Sequence, residues 1–259
     1  MIWSVVALVG LVVLGLFLYW ALVITEGAYL GRRIVALLYD LTPGYYDRIK
    51  AITWCHDDEW LVAPLLQRLK EVSCPLILDV GTGTGRFPAA LLNRERFKGQ
   101  IWGLDISLGM LRRARERLAP LGNRWRLVWQ DAGTLPFAAE TFDAVVCLET
   151  LEFTSRPRRT LCELVRVLRP GGVLLLSNRI GRAWCFPGRV YDDEGLSELL
   201  GQHPLREAEI HNWNSFYDLV WAQKEGEVQR LGHGADALAF WLHPPGKHVV
   251  AEGIFEAQA

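Results

Sequence analysis

The feature that most constrains the fold is an alternation. Short apolar runs, "PLILDV" (75–80), "QIWGLDI" (100–106), "WRLVWQ" (125–130), "FDAVVCL" (142–148) and "GGVLLLSN" (171–178), recur between stretches of helical period. Runs of this kind read as buried strands, and the helical stretches between them are long enough for crossover connections. That is the pattern of a parallel sheet covered by helices on both faces. Two later runs, Leu205–His211 and Ser215–Gln223, are joined by "NWN". That link is too short for a crossover, so the two must pair antiparallel if they are neighbours. The C-terminal "GHGADALAFWLHPPGKHVVAEGIFEAQA" shows no clear period and is left unassigned.

The N-terminal end obeys a different rule. From Ile2 to Thr25 there is no charge, and "VVALVGLVVLGLFLYWALVI" is long enough, as a helix, to cross the roughly 30 Å of a bilayer's hydrocarbon. Trp3 and Tyr19-Trp20 stand where interfacial aromatics belong. A cleaved signal peptide needs a basic leading region and a shorter apolar core, and this run has neither. The expectation is a single-pass membrane anchor over 1–26, with residues 2–25 in contact with lipid. No Lys or Arg precedes it, whereas Arg32, Arg33, Arg48 and Lys50 follow, so the positive-inside rule puts the remaining chain in the cytoplasm.

After the span, "AYLGRRIVALLYDL" puts Leu30, Ile34, Leu37 and Leu38 near one helical face with Arg32 and Arg33 off it. This suits a helix on a membrane surface and equally a helix packed on the domain. "TPGYYDR" (42–48) marks a break, and a helix is expected from about Asp57 to Glu71. Segment 27–56 therefore reads as a juxtamembrane or lid region, and 225–259 as an extension of unknown role.

Composition excludes some classes. A formal net charge of −1 gives no electrostatic footprint for nucleic acid, and "RPRR" (156–159) and "RRARERL" (112–118) read as solvated helix faces. Cys55, Cys74, Cys147, Cys162 and Cys185 form an odd set without C-x-x-C spacing, so neither a disulfide framework nor a metal site is expected.

The chemistry gathers at strand ends. "LDVGTGTGRF" follows the first strand, and Gly81, Gly83 and Gly85 allow a sharp turn and a close ligand approach. The dinucleotide fingerprint G-x-G-x-x-G wants glycine at 86, where this chain has Arg86. Asp79 would repel a pyrophosphate and attract a cationic ligand. Asp105 ends the second strand, where a carboxylate can accept from both hydroxyls of a ribose. Asp131 ends the third, in "WQDAGTLPF", and can accept from an exocyclic amine. Any one of these acids alone could be a helix cap or turn residue.

These motifs, with "GLDIS", "FDAVVCLETLEF" and "LCELVRVLRPGGVLLLSN", resemble the consecutive motifs of class I S-adenosylmethionine-dependent methyltransferases, in particular the group of quinone and small-molecule methylases. The resemblance runs from about Tyr39 to Asn178. It implies an α/β, Rossmann-like, seven-stranded and mostly parallel sheet with the last strand antiparallel, helices on both faces, and one transmembrane helix before it. Residues 57–224 would form that domain, with S-adenosyl-L-methionine as cofactor. Position by position, the resemblance gives Asp79 and the turn Gly81, Thr82, Gly83, Thr84 and Gly85 the methionine end. Asp105 would hold the ribose with Ile106 against the adenine, Asp131 with Ala132 would meet the adenine amine, and Leu148 would line the cofactor. Tyr46 is a weaker candidate, closing over the site.

The acceptor is less legible. Some relatives carry a histidine base in E-x-L-E-H, and this chain reads "ETLEF" with Phe153 there. Glu149 and Glu152 remain nearby, each also readable as structural, as are His203 and His211. A thiol, an acidic phenol or an amine is then the expected nucleophile, because each gives up a proton easily or carries a free lone pair. The anchor points to a lipophilic small-molecule acceptor, with a quinone ring or a phospholipid amine as the nearer alternatives and a non-catalytic cofactor-binding scaffold as the more distant one. Aromatic segments 183–191 and 212–221 are candidates for its pocket, or for ordinary packing.

Overall fold

The five apolar runs form parallel strands. The computed structural model describes residues 2–44, 47–48, 57–228, 248–251 and 254–256, so Tyr46 and part of 225–259 lie outside it. Strand β1 (Leu76–Val80) pairs in parallel with both β2 (Gln100–Asp105) and β4 (Phe142–Cys147). β3 (Trp125–Trp129) extends the sheet beyond β2, and β5 (Leu168–Arg179) extends it beyond β4. Chain order therefore reverses between β1 and β4, and the C-terminal ends of β1, β2 and β4 surround one crevice. Open α/β sheets bind their ligands at such a point.

Alternate residues of β1 serve opposite faces, as the two-residue period of a strand requires. Leu76, Leu78 and Val80 join a cluster with Leu161 and Leu164, whereas Ile77 joins a second cluster with Leu91, Leu111 and Leu118. The first pair comes from α6 (Pro157–Val167), the others from α4 (Arg86–Leu92) and α5 (Leu108–Leu118). Each such fully buried leucine is worth about 1.5–3 kcal/mol, which fixes the register of the sheet between its two helical layers.

β6 (Leu205–Asn212) and β7 (Tyr217–Lys224) pair antiparallel, and β7 runs antiparallel to β5. The sheet is wider than the seven strands expected. The order is β6-β7-β5-β4-β1-β2-β3-β9-β8, because two strands from the unassigned C-terminal segment, β8 (His248–Ala251) and β9 (Ile254–Glu256), add to the edge of β3. They span four and three residues, too short to show a period, and β9 exists as a strand through its pairing with Leu127, Val128 and Trp129.

At the other end, α1 (Ile2–Tyr19) continues through a wider π-type turn to Ile24, and these 23 residues are long and apolar enough to cross a membrane. No side chain of Ile2–Tyr19 is buried among the described residues. Helix α2 (Arg32–Leu41) follows after a turn, with Val35 buried and Leu37 and Leu41 exposed. It packs against α5, so its inner side belongs to the domain. The helix expected over 57–71 is interrupted, with a π-type turn at Asp58–Val62 leading into α3 (Ala63–Arg68).

Candidate active site

The glycine turn is drawn tightly onto the second strand. Gly81 N and Thr82 N both donate to Leu104 O, at 2.7 and 3.0 Å. Gly81 has φ +74°, and a Cβ there would fall 2.0 Å from Thr150 Oγ1, so conformation and close approach both demand glycine. Gly85, φ +73°, precedes α4 and abuts Ala114, which lets the turn close onto α5. Arg86, at the place where a dinucleotide site has its third glycine, forms a two-point ion pair with Asp57.

Asp105 is the hub of the crevice. Its Oδ2 accepts from Gly83 N and its Oδ1 from Ser107 N, each at 2.8 Å. A carboxylate has roughly four lone-pair sites, so acceptor capacity remains for a hydroxyl of a ribose. Burial pushes Asp105 up to about 6, against the opposing effect of these backbone donors and with a smaller contribution from Asp40. Asp79 lies beneath the turn, 3 % exposed, and accepts from Thr82 Oγ1 at 2.6 Å. Burial pushes Asp79 up to about 7; the Thr82 hydroxyl opposes this and Asp105 adds to it. Two carboxyls held this high make a site short of positive charge.

Asp131 follows β3, accepts from Gly133 N at 2.6 Å, and pairs with Arg32 of α2 at 3.2 Å. Gly81, Gly83, Asp105, Ile106, Asp131, Ala132 and Leu148 all line one open cleft with an empty volume of about 720 Å³. Asp79, Thr82 and Thr84 are instead buried beneath the turn. Thr84 Oγ1 donates to Asp47 at 2.6 Å and accepts from Arg117 of α5 at 2.7 Å, tying the turn to both.

Apart from Glu149 and Phe153, the other cleft residues were not legible in the sequence. Arg32, Val35 and Tyr39 of α2 form one wall, at the i, i+3, i+7 spacing of a single helical face. Helix α2 lies as a strap over the cleft and is held by Asp40, whose Oδ1 accepts from Ser107 Oγ at 2.6 Å and from Gly109 N at 2.7 Å. Glu149, Thr150, Phe153, Thr154 and Ser155 form a second wall after β4, with Met110 and Gln130 between. Glu149 has φ +49°, and its N–H donates to Ser177 Oγ at 2.6 Å. Phe153 packs edge-on against Tyr39 (6.2 Å) and Phe186 (5.8 Å).

Glu152 is turned away into the core. It is 2 % exposed, accepts from Tyr217 Oη at 2.6 Å, and pairs with Arg179 at 3.4 Å. Burial raises its pKa. Tyr217, Leu219, Val220 and Trp221 are likewise buried, so segment 212–221 supplies packing, and Trp184 of segment 183–191 is 83 % exposed. His211 is exposed beside Glu209, on the edge strand. Among the described residues no cluster of His, Cys, Asp and Glu is arranged to hold a metal ion.

With this geometry in place, the likeness to known proteins can be read. Residues 78–176 match the family described as a methyltransferase domain. This segment is a methyltransferase domain. Its cofactor is S-adenosylmethionine. The chain is similar to the ubiquinone/menaquinone biosynthesis C-methyltransferase UbiE of Desulfotalea psychrophila, 35 % identical over 139 residues, covering 53 % of this chain and 55 % of that protein. To the protein of the same name from Bordetella parapertussis it is 38 % identical over 170 residues, covering 65 % and 57 %. The chain thus spans a little over half the length of these relatives. The solved [4+2]-cyclase SpnF shares the fold, with TM-score 0.61 and 22 % identity over 75 % of this chain and 96 % of that one. A fold shared with a protein named for another reaction leaves the chemistry to the site.

The residues present fit the cofactor. Asp105 keeps acceptor capacity for a ribose, and Ile106, Met110 and Ala132 give an apolar setting for an adenine beside Asp131. Gly81 lines the cleft without a side chain, and Thr150 packs against it so closely that no larger residue fits there. The two raised carboxyls favour a ligand that brings positive charge.

Proposed function

We propose that this chain is a membrane-anchored S-adenosylmethionine-dependent methyltransferase that methylates a ring carbon of a lipophilic, quinone-type acceptor at the cytosolic membrane face. One observation carries the reading. A single cleft is lined both by the acids and glycines suited to the cofactor and by an aromatic and apolar wall of Val35, Tyr39 and Phe153 suited to a flat ring. The names of the curated relatives support the ring-carbon acceptor. The uncharged 23-residue helix supports the anchor, and the arginines that follow it support the cytosolic orientation.

When bound, S-adenosylmethionine supplies a methyl group on a sulfonium with a good thioether leaving group. The protein's part is to align an acceptor with that methyl and to exclude water, positioning worth on the order of 7–11 kcal/mol. In this reading α2 closes the cleft from above, held by the bonds from Ser107 and Gly109 to Asp40. Phe153 stacks the ring and contributes no proton acceptor. Glu149 is the cleft carboxylate beside it, placed to take a phenolic proton so that the ring carbon becomes nucleophilic. The same ring carbon sheds its own proton after the new C–C bond forms.

The test is transfer of an isotopically labelled methyl group from the cofactor to a membrane lipid extract, with mass analysis of the products. Label in a quinol ring supports the proposal. Label in a phospholipid headgroup replaces it with an amine methylase, and cofactor binding without any transfer replaces it with a scaffold.

A further inference from the structure

Besides the stripe at Asp40, which is bonded to Ser107 and Gly109 and faces α5, the strap helix α2 has three stripes with three different surroundings. Arg32, Val35 and Tyr39 line the cleft. Ile34 and Leu38 lie over the turn at Gly27, where an added Cβ would meet Ile34 Cγ2 at 2.9 Å and Leu38 Cδ1 at 3.2 Å. The remaining stripe, Arg33, Leu37 and Leu41, is exposed, Leu37 by 52 % and Leu41 by 71 %, as is Leu30 in the turn before the helix. Two adjacent apolar side chains on an exposed helical stripe, with arginine beside them, have the makeup of a helix lying at a lipid surface.

What stands next to this stripe decides its occupant. The turn that Ile34 and Leu38 cover is bonded straight back onto the last turn of the anchor helix. Gly27 N donates to Ala21 O at 2.8 Å, and Thr25 Oγ1 donates to Ala21 O at 3.1 Å. There is no free linker between anchor and strap. A second contact ties the same point to the body of the domain. Trp20 Nε1 donates to Cys185 O at 3.3 Å, Tyr29 stacks on Trp20 at 5.0 Å and donates to Pro187 O at 2.8 Å, and Arg189 Nη2 donates to Ala28 O at 2.7 Å. Trp184 is one residue from Cys185 and 83 % exposed. The outer stripe of α2 and Trp184 therefore both flank the place where the anchor ends.

We propose that Leu30, Arg33, Leu37, Leu41 and Trp184 form a bilayer-docking surface, distinct from the anchor itself, that seats the cleft's strap on the headgroup layer. This rests on the anchored reading above. The occupant is an anionic lipid surface. Trp184 supplies an interfacial aromatic, the leucines enter the acyl boundary, and Arg33 meets the headgroups. Docking would hold α2, one wall of the cleft, at the depth where a lipophilic acceptor presents its polar ring. The lipid surface and the cleft would then share a single helix.

The experiment places an environment-sensitive thiol probe, one site at a time, on the full-length chain carrying Cys55→Ser, Cys74→Ser and Cys162→Ser. The chain is reconstituted in vesicles of phosphatidylcholine and phosphatidylglycerol in equal parts, bearing nitroxide-labelled acyl chains. Probes go at Leu37→Cys, Leu41→Cys and Trp184→Cys, with Val9→Cys reporting on the anchor and Glu198→Cys on an exposed helix elsewhere in the domain. The expected result is several-fold stronger quenching at 37, 41 and 184 than at 198. Quenching at 9 with 37, 41 and 184 as unaffected as 198 overturns the docking surface and leaves the anchor standing. No quenching at 9, 37, 41 or 184 overturns both. Should a label on α2 disturb the strap, the site at 184, on an exposed turn, carries the readout alone. Leu37→Glu with Leu41→Glu should then lower quenching at 184 several-fold, and unchanged quenching there would count against the proposal.

Discussion

Arg32 Nη1 lies 3.2 Å from Asp131 Oδ2, so a residue of the strap holds the carboxylate proposed to receive the adenine amine. The arginine side chain is 63 % exposed, which limits its contribution to stability to less than about 1 kcal/mol. Its effect should appear in binding instead, if the arginine covers the approach to the Asp131 oxygen proposed to meet the cofactor. Arg32→Ala is expected to tighten S-adenosylmethionine binding by about two- to fivefold with an unchanged melting temperature, the gain matching an exposed ion pair that no longer has to break. Asp131→Ala should weaken binding by about tenfold, the value of one hydrogen bond to a charged acceptor. Calorimetric titration of the two variants decides, and equal affinity in Arg32→Ala would show that the pair does not stand in the cofactor's way.

Asp105→Asn tests the hub. The amide keeps the shape but loses the charge, and it cannot accept from Gly83 and Ser107 at once, since one of its two heads is a donor. A buried N–H is left without its acceptor, and the ribose loses a charged one. The first loss lowers stability in the free and the bound protein alike, and the second lowers cofactor affinity by about tenfold or more, the value of roughly 1.5 kcal/mol for a hydrogen bond to a charged acceptor. A nicotinamide dinucleotide, titrated in parallel into the unmodified protein, should show no comparable heat.

How far the sequence alone reached is clearest from these same residues. Asp105 and Asp131 were readable because the first closes a buried strand and the second lies two residues beyond one, and a polar group there lies at the rim of the sheet whatever the details of packing. Asp79 was readable as an acid in the turn, but its depth was not. Only the fold shows that it turns under the glycines to Thr82 and away from the cleft surface. The wall supplied by Arg32, Val35 and Tyr39 could not be read because a helical moment says that a face is buried and not against what. β8 and β9 were missed for a different reason: a strand of three or four residues borrows its conformation from the edge it joins.

The raised carboxyls make a pH prediction whose sign differs for the ligand-free and bound protein. Asp79 and Asp105, near 7 and 6, bind protons more tightly in the folded chain than in the unfolded one. Their effect on the free protein is therefore a relative stabilisation at low pH that is lost as pH rises through 6 to 7. A cationic ligand favours the ionised forms, so its binding should release protons and strengthen over that same window. Titrations in two buffers of different ionisation enthalpy measure the release directly. Cofactor affinity that is flat across this range would mean that neither carboxyl changes its charge on binding.

Glu149 separates binding from turnover. It lines the cleft after β4 and is fixed through its backbone, whose N–H donates to Ser177 Oγ. Glu149→Gln preserves size and removes the proton acceptor, so turnover should fall by roughly a hundredfold or more, the range of general base catalysis, while cofactor affinity holds. The loss should shrink when the assay is run at higher pH, where the acceptor's phenol ionises without help. A loss that stays constant with pH would assign Glu149 to shaping the wall.

Gly81→Ala places the demand on the turn under test. The new Cβ would sit 2.0 Å from Thr150 Oγ1, and φ of +74° adds strain of its own. Thr150 cannot simply rotate aside, because its hydroxyl donates to Leu148 O at 2.8 Å and its backbone leads into the cleft wall at Phe153. The turn must therefore shift, and with it the N–H of Gly83 that donates to Asp105. A stability loss of about 1–3 kcal/mol is expected, together with a larger proportional loss of cofactor affinity. Combining Gly81→Ala with Thr150→Ala removes the Oγ1 and Cγ2 contacts but leaves the Cβ of residue 150 within 2.7 Å and the φ strain in place. Partial recovery of stability in the double variant, measured as non-additivity in a thermodynamic cycle, would show that the close approach contributes to the requirement for glycine. Strict additivity would leave the left-handed backbone and the remaining contact with the Cβ of residue 150 as its causes.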